Sequence, residues 1–230
     1  MSMIDNGNDV ESIIKWFDKE VGDGENSIVV YPDLQTFRQI YTRYVKEKLA
    51  KPGEDTQEAK ESTESANNDN NDEPRRNKQS SNSRIVLIAA YYETVDSVKH
   101  HLIAFGIENV QKYIDEGSLV IVDSFYSFFP DVNGMKKLID SLSQRAKREG
   151  RAGVTALVDM GPFFLFGGDS KAKELINYET SLASKTQDSN VKGFSCYHIG
   201  NYNTLTDEDK EEITQRQKKK LLEIREGNAR

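Results

Sequence analysis

Four carboxylates stand directly behind apolar runs in this chain: Asp33 after SIVVYP, Glu93 after IVLIAAYY, Asp123 after LVIV and Asp159 after VTALV. A carboxylate at the end of a buried strand can hold a cation, move a proton or cap the turn that follows. Glu93 falls where a strand meets a helix, so it reads either as a general base or as an acidic group favoured by the positive helix end. Asp159 reads either as a Mg-binding aspartate or as a turn residue. Tyr31, Tyr91, Phe125 and Tyr197 flank the same strand ends and supply aromatic surface. Tyr91 and Tyr92 should point to opposite faces, one towards a pocket and one into the core. Cys196 and His198 share a strand face and, with Asp159, could form a cysteine-histidine site; a buried structural cysteine is the plainer alternative. His100 and His101 are about 100° apart on a helix, which suits no shared metal. No metal or cofactor is expected.

The elements that must position these groups are organised around residues 83 to 126. There a continuous apolar strand over Ile85 to Ala90, an amphipathic helix and a second strand over Ser118 to Asp123 follow one another. An unbroken apolar run suits a strand covered on both faces, as in a parallel sheet flanked by helices. Such sheets bind ligands at the carboxyl ends of their strands. Helices are expected over 9–21, 34–50, 135–148 and about 170–184, and a last one from Thr206 with Lys218 to Lys220 towards its end. Strands are expected over 27–31, 154–159 and 193–199. Residues 127–130 and 160–168 read as apolar loops. The result is an α/β fold with a mostly parallel sheet of about five strands, a three-layer sandwich.

Residues 51 to 83 contain no Ile, Leu, Val, Met or aromatic residue. Such a segment cannot offset its ordering entropy and is expected to be a disordered insertion in one domain spanning 1–230. The 230 residues are 36 % hydrophobic and 30 % charged, with a formal net charge of -7. That acidity gives no reason to expect nucleic acid or an anionic membrane as partner. One cysteine excludes an intramolecular disulfide and fits a reducing cytosol. No stretch approaches eighteen apolar residues and the N-terminus lacks a signal-peptide pattern, so a cytoplasmic protein is expected.

A P-loop hydrolase needs GxxxxGK[ST] after its first strand, so that backbone amides and a lysine surround the phosphates. The turn here is VVYPDLQTFRQ, with neither glycines nor lysine. The succession IVLIAAYYET, FGIENVQKYIDEGSLVIVDSF and VTALVDM nevertheless resembles the KaiC branch of the RecA-like ATPases, with Glu93 matching the second of two glutamates and Asp159 the Walker B aspartate. The chain resembles the MEDS domain more closely still, a sensory domain of methanogens, methylotrophs and the DcmR regulator regarded as a degenerate KaiC-like fold. That likeness rests on SIVVYPDLQTFRQIYTRYV, on Tyr178-Glu179 in INYETSLAS, and on Cys196-Tyr197. It implies a sensor that binds a small molecule without hydrolysing nucleotide. Tyr31, Asp33, Tyr91, Glu93, Asp123, Phe125, Asp159 and Tyr197 would then line the pocket, and a separate kinase or transcription regulator would read its state. A homo-oligomer is plausible by the same analogy. The alternatives are a KaiC-like protein that still binds nucleotide and an adaptor with a collapsed pocket.

Overall fold

The computed structural model describes residues 10–49, 83–128, 133–166, 171–186, 189–215 and 221–224. The expected insertion at 51–83 lies, but for Ser83, outside the described residues.

Ile13, Ile14, Trp16 and Phe17 give helix α1 (Val10–Glu20) a single buried face. Strand β1 (Asn26–Tyr31) is buried throughout. Asp33 then ends the turn: its Oδ1 accepts the Thr36 N–H at 2.7 Å and caps α2 (Leu34–Leu49). The three-and-four spacing of Phe37, Ile40, Tyr41, Tyr44 and Val45 buries one side of that helix. Strand β2 (Arg84–Ala90) leads into α3 (Val95–Ala104), capped by Thr94, and then α4 (Val110–Asp115). Gly117, at φ 64°, makes the sharp turn into β3 (Leu119–Asp123). Helices α5 (Ser124–Phe128) and α6 (Gly134–Arg148) precede β4 (Gly153–Asp159). Helices α7 (Pro162–Phe166) and α8 (Lys171–Thr186) precede β5 (Val191–His198). Helices α9 (Ile199–Tyr202) and α10 (Asp207–Gln215) lead to β6 (Leu221–Glu223).

The six strands form one sheet in the order β3-β2-β4-β5-β1-β6, and every pairing is parallel. Alternate residues feed two cores. Val86, Ile88 and Ala90 join the helices α1 to α4 on one face, while Ile85, Leu87 and Ala89 join α6, α8 and α10 on the other. The α/β sandwich is thus as expected, with a sixth strand and, among the described residues, no antiparallel pair.

The differences lie at short elements. Residues 127 and 128, expected in a loop over 127–130, belong to helix α5, because Asp123 Oδ1 accepts the Phe125 and Tyr126 N–H groups at 2.8 and 3.4 Å; residues 129 and 130 lie outside the described residues. Pro162, at a first helical position where its missing N–H costs nothing, starts α7 inside the expected 160–168 loop. Ile199 belongs to α9 and not to β5, since His198 Nδ1 accepts the Gly200 N–H at 3.1 Å and caps that helix. Thr206 caps α10 as expected, its hydroxyl accepting the Asp209 N–H at 3.1 Å. Lys218 to Lys220 lie outside the described residues, and β6 begins directly after them.

Candidate functional site

Strand order decides what meets at the carboxyl edge. From β2 the chain runs outward to β3 through the α3 side of the sheet; from β4 it runs to β5 through the α8 side. Neighbouring parallel strands whose connections part to opposite faces leave a crevice at their carboxyl ends. The crevice this rule places between β2 and β4 would be bordered by Tyr91, Tyr92 and Glu93 on one side and Asp159, Met160 and Gly161 on the other.

Asp159 is fully buried. Its Oδ2 accepts the Tyr31 hydroxyl at 2.9 Å, its Oδ1 accepts the Gly161 N–H at 2.8 Å, and the Tyr91 N–H donates to it as well. One carboxylate therefore ties the ends of β1, β2 and β4 together. Burial pushes its pKa up to about 7, although the three donors pull the other way. Tyr31 is pushed far above the ordinary phenol range, first by burial and then by Asp159 beside it. The Tyr31 ring stacks on Phe37 at 4.9 Å and meets the His198 ring edge-on at 5.6 Å.

Glu93 points to the same face of the sheet but is committed elsewhere. Its side chain is 1 % exposed. Oε1 accepts from Arg38 Nε at 2.9 Å and Ser97 Oγ at 3.1 Å and lies 3.3 Å from His101 Nε2; Oε2 accepts the Tyr41 hydroxyl at 3.2 Å. A carboxylate so occupied ties α2 to α3 and is poorly placed to take a proton from a ligand. Of the two readings of Glu93, the geometry favours the structural one.

The neighbouring tyrosines depart from the alternation expected of them. The strand stops at Ala90, so Tyr91 and Tyr92 sit in a bend, with rings 4.7 Å apart and edge to face. Neither enters the core: Tyr91 is half-buried and Tyr92 is 43 % exposed. The Tyr92 hydroxyl accepts from Asn201 Nδ2 at 2.8 Å. Tyr91 lies flat against Gly161, where a Cβ would stand 2.2 Å from its ring. Gly161→Ala is therefore expected to push the Tyr91 ring aside and cost about 1 to 3 kcal/mol, as overpacking does. Tyrosine ring NMR shifts and the urea midpoint would both register it; an unmoved ring and unchanged midpoint would deny the contact.

The other expected site residues fall apart from this cluster. Asp33 and Asp123 cap helices at the ends of β1 and β3. Phe125 is half-buried beside exposed Tyr126, 5.4 Å between ring centres. Tyr197 faces the opposite side of the sheet, where its hydroxyl donates to Glu179 Oε1 at 2.5 Å. Cys196 is buried with its Sγ donating to the Phe194 carbonyl at 3.5 Å, and burial together with Asp159 pushes the thiol well up. With His198 turned to cap α9, the geometry favours the structural cysteine.

Sequence reasoning missed a second buried polar group. Asn26 Nδ2 donates to Glu179 Oε2 at 3.3 Å and to Ser195 Oγ at 3.4 Å, so Asn26, Glu179, Ser195 and Tyr197 form one network on the α8 side. The signal available was the Tyr178-Glu179 pair, a carboxylate on the apolar side of a helix. Among the described residues no group of three His, Cys, Asp or Glu could hold a metal ion, and no helix is long and apolar enough to cross a membrane. The sequence matches no protein-family model and no curated protein.

Proposed function

We propose that this chain is a non-hydrolysing, ligand-sensing protein of the MEDS type, a cytoplasmic module that binds a small molecule at the carboxyl edge of its sheet. A separate kinase or transcription regulator would read the bound state. The observation that supports the reading is the switch point between β2 and β4, where buried Asp159 ties the ends of β1, β2 and β4 together and Tyr91 and Tyr92 follow β2 beside it. Of the five exposed large apolar residues among the described ones, Tyr92, Tyr126 and Leu165, at 43 %, 76 % and 58 %, follow the ends of three adjacent strands, while Ile103 and Phe105 lie at the end of α3. Apolar surface gathered beside a few fixed polar groups is what a small-molecule site requires.

The nucleotide-binding alternative has less support. After β1, the helix N-terminus that would receive a phosphate is occupied by the chain's own Asp33 carboxylate. Native mass spectrometry of the purified full chain, with and without ATP and Mg, tests the choice. The expected spectrum carries a co-purified small molecule that ATP does not displace. A saturable ATP adduct, or a protein free of any adduct, would overturn the sensor reading.

A further inference from the structure

On the side of the sheet away from the crevice, β1, β4 and β5 enclose a small cavity with α6 and α8. Its wall is mostly apolar, with Ile139, Leu182 and Val158 in it, and Asn26, Ser195 and Gly193 also line it. All six are buried. The space left for the centre of a water molecule is about 10 Å³, close to what one water needs.

The polar atoms at this cavity are not balanced. Glu179 fixes the orientation of the Asn26 amide, because its carboxylate can only accept and so takes the Nδ2 side. The Asn26 Oδ1 is thereby turned away, buried and without a hydrogen-bond partner. An acceptor left in that condition loses its hydration with nothing in return. Ser195 Oγ, also at the cavity, accepts from Asn26 Nδ2 and keeps its own proton to give.

We infer that this cavity is an internal water-binding site, in which one water donates to Asn26 Oδ1 and accepts from the Ser195 hydroxyl. The space is too small for an organic molecule. Two neutral oxygens are too few for a metal cation, which takes six or more when bound through oxygen alone. The water adds a second link between Asn26 and Ser195 in the network they form with Glu179 and Tyr197, so that a buried carboxylate is surrounded by satisfied partners. Gly193 is part of the arrangement: a Cβ there would stand 2.5 Å from Asn26 Oδ1. This inference is independent of what the crevice binds.

A high-resolution crystal structure of the full chain tests it. The expected result is one electron-density peak within hydrogen-bonding reach of both Asn26 Oδ1 and Ser195 Oγ. That peak should be lost in Ser195→Val, whose methyl groups occupy the space. Gly193→Ala serves should that variant fail to fold, and oxygen-17 relaxation dispersion in solution should count one fewer long-lived water in either. A cavity without a peak, a protein donor on Asn26 Oδ1, or a peak and water count unchanged in the variants would overturn it.

Discussion

Asp159→Asn is expected to gain about 3 kcal/mol of stability relative to the native chain as the pH is raised from about 5 to about 8. The native carboxyl is held protonated up to about 7 by burial, whereas in the unfolded chain it ionises near the ordinary aspartate value of 3.8. Between those two values the folded state holds the extra proton. The native chain's stability from this group is therefore greatest below the unfolded value and declines as the pH rises to 7, then stays flat. Asparagine carries no such proton and keeps an oxygen for the Gly161 N–H, while its amide can donate to the Tyr31 hydroxyl. Thermal unfolding of both chains should show a difference that opens by roughly 10 °C across this range. A difference independent of pH would mean that the native carboxylate is solvated, and that the crevice is open to its base.

Glu93→Ala should have an effect of similar size and opposite sign. Removing one partner of a buried ion pair strands the other, at a cost of about 3 to 5 kcal/mol. Arg38, at 24 % side-chain exposure, retains some solvent, which places the loss near the lower end. The Tyr41 and Ser97 hydroxyls lose an acceptor at the same time. In a double-mutant cycle, Arg38→Ala with Glu93→Ala should cost less than the two single changes added, because the stranded charge is gone. Additive costs would show that Glu93 does not anchor α2 to α3 and would restore it as a candidate base.

Much of this architecture was legible in the chain. Unbroken apolar runs at Ile85 to Ala90 and Val154 to Val158 announced strands covered on both faces, and the spacing from Leu34 to Leu49 announced a core helix. Short elements were not, because β6 has three residues and α9 only four, too few for any period to register. The site was half legible for a different reason. Strand ends mark candidate residues, but which of them meet depends on strand order and on the parity of each residue along its strand. Tyr31 reaches Asp159 across β5, a pairing 128 residues apart that no local pattern encodes. Parity also removes Tyr197, since it faces the opposite side from Cys196 beside it. Caps and ligands share the same residue types, so Asp33 and Asp123 drew the same expectation as Asp159 and proved to cap helices.

Hydrogen exchange followed by mass spectrometry, on the protein as purified and after extraction of any bound small molecule, tests the central claim most directly. Ligand at the crevice predicts added protection in the peptides carrying Tyr91 to Glu93 and Asp159 to Gly161, with the water-binding side unchanged. Protection confined to other segments, or none anywhere, would contradict a ligand site between β2 and β4.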